Sequence, residues 1–476
     1  MDSMRSKRSK ALGKSHIPEI VIIIIIILCL GIGFIVGYTT KREVRGNKRN
    51  NNGNIAQEVY TILDNKWYNL QDKGDVKGKV LSGMVSGLED PHSSFFTNTQ
   101  SQEFNQEVNG DFEGVGVTFS PIDRGSLVVK VLENSPAKEV GILSGDIITH
   151  VNDTSLQGLT NDKIKGLVRG KPDTKVTIKL LRNEREIVVK PVRHSISTAV
   201  SYSIREHNKK KFGYITITTF GSSTGKEVEA ALQKFEEHHI KSLVIDVRDN
   251  GGGYLSAAVD ILQLFLKEGE TLYQIQQKGG PIEKKVATKH RNYTFDKGYI
   301  LMNGSTASAS EMVAGALHQQ LGFTLIGTKS FGKGSAQTQA NLSDGSVVKY
   351  TYAKWMTPNG FCVNGVGLKP DIDISNYDLH RVVTKKIEEP LHVDQVSQSI
   401  IGMQDMLQIL GYAPGRQDGY FSIQTETALK QFQKDHGLES NGQYDSNNQQ
   451  VLIAQTLLFT NKPENDVQYK RMLEVI

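Results

Sequence analysis

From Ile20 to Tyr38 the chain runs nineteen residues without a charge, IVIIIIIILCLGIGFIVGY. At 1.5 Å rise per residue this matches a hydrocarbon core of ~30 Å and predicts a membrane-spanning helix. No small-x-small cleavage site comes after it, so retention as an anchor is expected rather than removal as a signal peptide. Ile26, Ile27 and Leu28 are too bulky for a lipidation signal at Cys29. Gly33 and Gly37 form a GxxxG spacing, which chance also produces in such a span. Residues 39–54 are polar and Asn/Gly-rich, a flexible tether. Apolar positions at helical spacing (Val59, Ile62, Leu63; then Val80, Met84, Val85, Leu88) predict two helices, the second stopped by Asp90-Pro91.

Short β-rich runs between turn residues, with one helical segment at Asn161 to Val168, make residues 112–192 a small β domain. From Lys211 to Asp373 apolar strands alternate with helical patterns, which argues for an α/β core with parallel strands and crossovers. Helices are expected near 226–237, 255–266 and 309–320, and again at 399–410 and 423–436 after a polar linker. The division is a basic tail (1–19), the spanning helix (20–38), the tether (39–54), a helical arm (55–104), the inserted β domain (105–192), the α/β core (193–378), a linker (379–397) and a small helical module (398–460).

Charge narrows the range of functions. The first fifty residues hold ten Lys or Arg against three Asp or Glu, whereas the remainder holds 46 against 48. A folded part with no surplus of positive charge is a poor nucleic-acid binder. Five positive residues lie on each side of the span, so the positive-inside count ties. Long domains translocate largely regardless of local charge, and the character of the domains beyond the span favours a cytoplasmic N-terminus with the remainder outside. With Cys29 and Cys362 alone, neither a disulfide framework nor a Cys-based zinc site can be built.

Three segments could carry chemistry. In NGSTASASE, Asn303 to Glu311, small residues between a strand and a helix leave a hydroxyl at a helix N-terminus, where free N–H groups favour negative charge. Ser308 and Glu311 also spell an S-x-x-E capping box, which requires no catalysis. The loop GTKSFGKGS, Gly327 to Ser335, nearly matches a phosphate-binding P-loop, but the hydroxyl falls one residue late. LVIDVRDNGGG, Leu243 to Gly253, delivers a strand end into three glycines able to form an anion nest. There is no GxSxG elbow, and His318 lies too far from Ser308 along the same helix to be its base.

In order, GMVSGLEDPHSSFF, FEGVGV, SPAKEVGILSGDIITHVND, YITITTF, DVRDNGGG, GSTASASE, FGKGS, DGSVVKYTYAKWMTPNG and GVGLKPD resemble the carboxyl-terminal processing peptidases, or tail-specific serine proteases, over about 320 residues. The resemblance implies an α/β protease core with an inserted PDZ domain. It implies Ser308 as nucleophile, Lys333, twenty-five residues later, as base and Gln337 as its orienter. The oxyanion donors would be Gly252 or Gly253 with the N–H of Ala309, and a substrate's terminal carboxylate would meet Gly114, Val115, Gly116 and Val117. No metal or other cofactor is implied. Two departures stand out: many members read DNPGG where this chain has Asn250-Gly251-Gly252-Gly253, and many carry an Asp where it has Gln319. A lysine base needs its pKa brought from ~10.4 toward 7, a shift of ~4 kcal/mol that burial can supply.

Residues Leu410 to Gly442 resemble the three-helix peptidoglycan-binding domain, with D-G-x-F, T-x-x-A and F-Q motifs at Asp418, Thr425 and Phe432. The expected protein is multidomain α/β, anchored by one span in the cell membrane with its catalytic part on the wall side. It would cleave proteins with apolar C-termini and bind peptidoglycan, and its helical arm could pair two copies. The rival is an inert PDZ and wall-binding scaffold.

Overall fold

The computed structural model describes residues 55–66, 75–132, 135–197, 199–288, 293–382 and 384–476. The expected span, Ile20 to Tyr38, lies outside these residues, and among the described residues no helix is long and apolar enough to cross a membrane. The chain divides into Met1–Met84 and Val85–Ile476. The first contains the helix Ile55–Lys66 and most of Val76–Ser86.

The larger unit is built on a six-stranded sheet: Val200–His207, Lys210–Ile217, Ser242–Asp246, Lys297–Met302, Thr324–Gly327 and Ile372–Asp373. The first pair is antiparallel and every later pair parallel. Crossover helices Thr224–Glu237, Leu255–Gln263 and Ala309–Leu321 return the chain between the parallel strands. Side-chain alternation distributes the strands' apolar residues over two cores. Ile215, Ile245 and Ile300 face the crossover helices, while Tyr214, Val244 and Leu301 meet Met472 of a terminal helix, Val467–Val475. Burial on both faces is why these strands read as near-continuous apolar runs. The terminal helix was not expected from the sequence.

A second, antiparallel sheet joins Ser94–Phe96, Val347–Met356, Thr271–Gln277 and Ile282–Val286, with Ser335–Asn341 also paired to Val347–Met356. Its role is to carry the loop before Ser335 against the N-terminus of Ala309–Leu321.

The inserted domain is an antiparallel sheet in the order Val117–Ile122, Gly125–Val131, Ile147–Val151, Ile178–Arg182, Arg185–Val189, closed by the helix Asn161–Val168. Val117–Ile122 is an edge strand, paired only with Gly125–Val131 among the described residues. The domain leaves and rejoins the core through a two-stranded ribbon, Asp111–Gly114 against His194–Ser197.

The helical module comprises Gln398–Ile409, Ile423–Asp435 and Ser446–Thr460. It does not hang free. Leu127 and Ile147 of the inserted sheet share one apolar cluster with its Phe421, Phe432 and Leu452. Gln450 accepts from the Glu184 N–H (2.9 Å) and donates to the Leu181 carbonyl (2.8 Å), which clasps a hairpin of that sheet. The segment expected as a polar linker also adheres to this cluster: Ile387 is buried, Leu379, Val382 and Leu391 lie against it, and Arg381 pairs with Asp405. Its apolar residues are too widely spaced to signal an element, so periodicity did not reveal the packing.

Candidate active site

Ser308 ends the loop after strand Lys297–Met302 and caps the helix Ala309–Leu321. Its backbone has φ +57° and ψ −116°, a conformation that L residues with a Cβ adopt only under constraint. The constraint is visible. Ala307 N–H and Ser310 Oγ both donate to the Asn250 carbonyl (3.0 Å each), and Thr306 Oγ1 donates to Val247 O (2.9 Å). These bonds stitch the serine loop to the Gly-rich turn, which Asn303 reinforces by pairing with Asp249 (2.8 Å).

Glu311, fully buried one turn into the helix, organises the rest. Its Oε2 accepts from both Ser308 N–H and Lys333 N–H (2.8 Å each). Its Oε1 accepts from Ser330 Oγ (2.6 Å) and Gly332 N–H (2.7 Å). The main-chain nitrogens of the expected nucleophile and base therefore share one oxygen atom. The Glu311 half of the expected capping box is present in its bond from Ser308 N–H, and the same carboxylate fastens the lysine loop to the serine. Because Glu311 already takes the N–H groups of Gly332 and Lys333, the loop cannot cradle a phosphate with them, which disposes of the P-loop likeness.

Ser308, Lys333, Gly252, Gly253, Ala309 and Gln337 line one cavity of about 800 Å³. Burial first, then the Lys349 ammonium, pushes Lys333 below the usual lysine range, against Asp90 and Glu311. This is the direction a base requires. Gln337 reaches the cavity, but its Nε2 donates to Ser335 Oγ (2.9 Å) and Thr351 Oγ1 (3.1 Å), not to Lys333. Gly252 donates its N–H to Asn250 Oδ1 (2.8 Å), so of the expected oxyanion donors Gly253 and Ala309 are the two without a protein acceptor among the described residues. Gln319, where an Asp is common, ties the far end of the helix to the loop beyond Trp355 through Thr357 Oγ1 and Asn359 N–H (3.0 Å each).

Gly252 has φ +102°, and a Cβ there would lie 2.8 Å from Ser308 Cβ and 2.9 Å from Ala307 O. Gly252→Ala should therefore displace the serine as well as strain the turn. A loss of about a hundredfold in kcat is expected, because small misplacements of reacting groups cost that much. A loss of about 2 kcal/mol in stability should accompany it. Steady-state kinetics and urea denaturation measure the two effects.

Behind the turn, Arg248 holds buried Asp246 through two bonds (2.8 and 2.6 Å) and reaches Asp466 before the terminal helix (2.6 Å). Burial alone would raise the Asp246 pKa, but Arg248 and the Tyr214 hydroxyl hold it below the ordinary value. Glycines 114 and 116 with Val115 and Val117 lie outside the cavity, at the start of the inserted domain's edge strand. Gly116 has φ +85° and its carbonyl accepts from Leu132 N–H (3.0 Å). A separate cavity of about 500 Å³ at the opposite end of strand Lys297–Met302, lined by Phe265, Tyr293 and Phe323, contains none of these groups.

An α/β core that holds a serine in a constrained turn at a helix N-terminus, beside a half-buried lysine and unpaired N–H donors, defines a serine hydrolase. Comparison with known proteins narrows the class. The profile of Peptidase family S41 matches residues 211–374, that of a PDZ domain 114–190 and that of a peptidoglycan binding domain 397–452. A protein of Staphylococcus epidermidis named "Probable CtpA-like serine protease" is 32% identical over 93% of this chain and 90% of its own. One of the same name from Staphylococcus aureus is 33% identical over 83% and 79% respectively. The solved photosystem II D1 C-terminal processing protease is 25% identical, covers 67% of this chain and 92% of its own, and superposes with a TM-score of 0.44. The chain belongs to peptidase family S41, among the CtpA-like serine proteases. It is a serine peptidase carrying a PDZ domain and a peptidoglycan-binding domain.

Proposed function

We propose that this is a membrane-anchored, extracytoplasmic endopeptidase that recognises protein C-terminal tails and cuts near them with a Ser308–Lys333 dyad. The observation that carries the reading is the single Glu311 oxygen holding the backbones of both residues at the wall of one cavity. Lys333, as a free amine, takes the Ser308 proton as Oγ attacks the scissile carbonyl. Gly253 and Ala309 N–H groups receive the developing oxyanion. Lys333 then returns the proton to the leaving amine, and later activates the water that hydrolyses the acyl-enzyme.

The open edge of Val117–Ile122 suits strand addition by an extended tail, with its carboxylate at Gly114 to Val117. Attachment would come from the apolar run Ile20 to Tyr38, and wall contact from the C-terminal module.

The test uses the full chain in detergent and a stable protein bearing an apolar C-terminal tail. Cleavage is expected, with loss in Lys333→Ala and a marked fall when the tail's carboxylate is amidated. Tail binding by the wild type without cleavage would favour the inert scaffold instead.

A further inference from the structure

The catalytic cavity contains a second lysine that the dyad chemistry does not use. Lys349 projects from strand Val347–Met356, opposite Gln339 and Ser94 in the two flanking strands, and lines the same cavity as Ser308 and Lys333. Its Nζ lies 4.7 Å from the centroid of the Phe104 ring and 5.5 Å from that of Phe96. The two rings stack on each other with centroids 5.0 Å apart. A cation within about 6 Å of a ring face is held there by the ring's quadrupole. Lys349 thus has an aromatic seat suited to an ammonium, whereas among the described residues no ring lies under Lys333.

Building on the dyad reading, we propose that Lys349 is a positioning residue acting through charge: an ammonium, seated on Phe96 and Phe104, that keeps Lys333 a free amine.

Two half-buried ammoniums sharing one cavity repel, so the first proton to leave comes from the site that holds it less well. The aromatic seat decides which site that is. The other charged groups do not replace Lys349 in this role. Burial pushes Lys349 below the usual lysine range as well, against Asp90. Asp90, on the loop before Ser94, favours the ammonium at both lysines, so it supports Lys349 while opposing its effect on Lys333, and it is itself occupied by Ser93 Oγ (2.6 Å) and His92 N–H (3.0 Å). Glu311 also opposes it, although its carboxylate is taken up by four donors. His92 is pushed toward its neutral form by burial, then by Lys333, and contributes no lasting charge. Glu107 on the cavity wall is paired with Lys165 (3.0 Å), and Tyr254 donates its hydroxyl proton to Asn105 (3.0 Å). After burial, Lys349 is the largest influence driving Lys333 toward the amine.

Activity depends on deprotonated Lys333, so kcat/KM rises with pH through the Lys333 pKa, and removing a like charge must move that rise to higher pH. The experiment measures kcat/KM for the full chain from roughly pH 6 to pH 10, on two peptides with a free terminal carboxylate, one without acidic side chains and one carrying them. In Lys349→Met and Lys349→Gln the midpoint of the acidic limb should move up by about one pH unit, with the high-pH plateau largely kept. Lys349→Arg, which restores the charge, should return the midpoint to its wild-type position. An unmoved midpoint in a folded Met or Gln variant would overturn the proposal, whether the plateau fell, as for a packing role, or KM rose only for acidic peptides, as for substrate binding. The proposal also fails if Lys349→Arg shifts as far as Lys349→Met. Lys333→Ala in parallel separates the two claims: if that variant keeps wild-type activity and the same limb, the dyad itself is wrong. If it is inactive while the Lys349 variants titrate as wild type, only the role of Lys349 falls.

Discussion

Replacing Ser308 by Gly should give an enzyme that is inactive and more stable than the Ser308→Ala variant. Both lose the hydroxyl, and removal of a nucleophile of this type lowers kcat by about 10⁴-fold or more. They differ in backbone. At φ +57° and ψ −116° an alanine keeps the Cβ that makes this conformation costly, whereas glycine occupies it freely. Strain of this kind costs about 1–3 kcal/mol, part of which is returned by the greater freedom of an unfolded glycine, so a net advantage of about 1 kcal/mol over alanine is expected. Kinetics on a tailed substrate and thermal denaturation of both variants are the measurements. Activity within tenfold of wild type in either variant would remove Ser308 from the chemistry.

Glu311→Gln should be damaging in a different way. The carboxylate offers two oxygens, and each accepts two protons from buried donors. A glutamine keeps one oxygen and turns an N–H₂ toward the other pair of donors. Buried donors without an acceptor cost about 1–3 kcal/mol each, so a loss of about 3 kcal/mol in stability is expected. The serine and lysine loops would also lose their shared tether, and kcat should drop about a hundredfold with KM less affected. Glu311→Ala should be worse on both counts. A Gln variant with wild-type kinetics and denaturation midpoint would mean that the four bonds are incidental.

How much of this was legible beforehand varied with the range of the interaction. The parallel strands and crossover helices could be read because each is written in consecutive residues: SLVIDV, GYILMN and TLIG became neighbouring strands. Ser308 and Lys333 could be named through a family likeness, and burial of the lysine was anticipated from its apolar surroundings. Glu311 could be seen only as a local cap. Its other partners, Ser330, Gly332 and Lys333, lie nineteen to twenty-two residues away, a distance over which no periodicity speaks. Gly252 looked equivalent to Gly253 until the Asn250 side chain was found on its N–H. Lys349 lay in a run recognised only as a motif, because the seat formed by Phe96 and Phe104 is brought to it by strand pairing. The helix Val467–Val475 went unread since its sequence, VQYKRMLEV, is short, mixes polar and apolar residues, and places of its apolar residues just Met472 deep in the core.

The clasp between the helical module and the PDZ sheet has a mechanical meaning. One side of the module is bonded to that sheet through Gln450 and the shared apolar cluster, while the chain beyond it is bolted to the protease through Asp466 and Met472. The module therefore braces the PDZ domain against the protease, and any swing of the PDZ domain about its ribbon would have to shear one of those seams or carry the brace along.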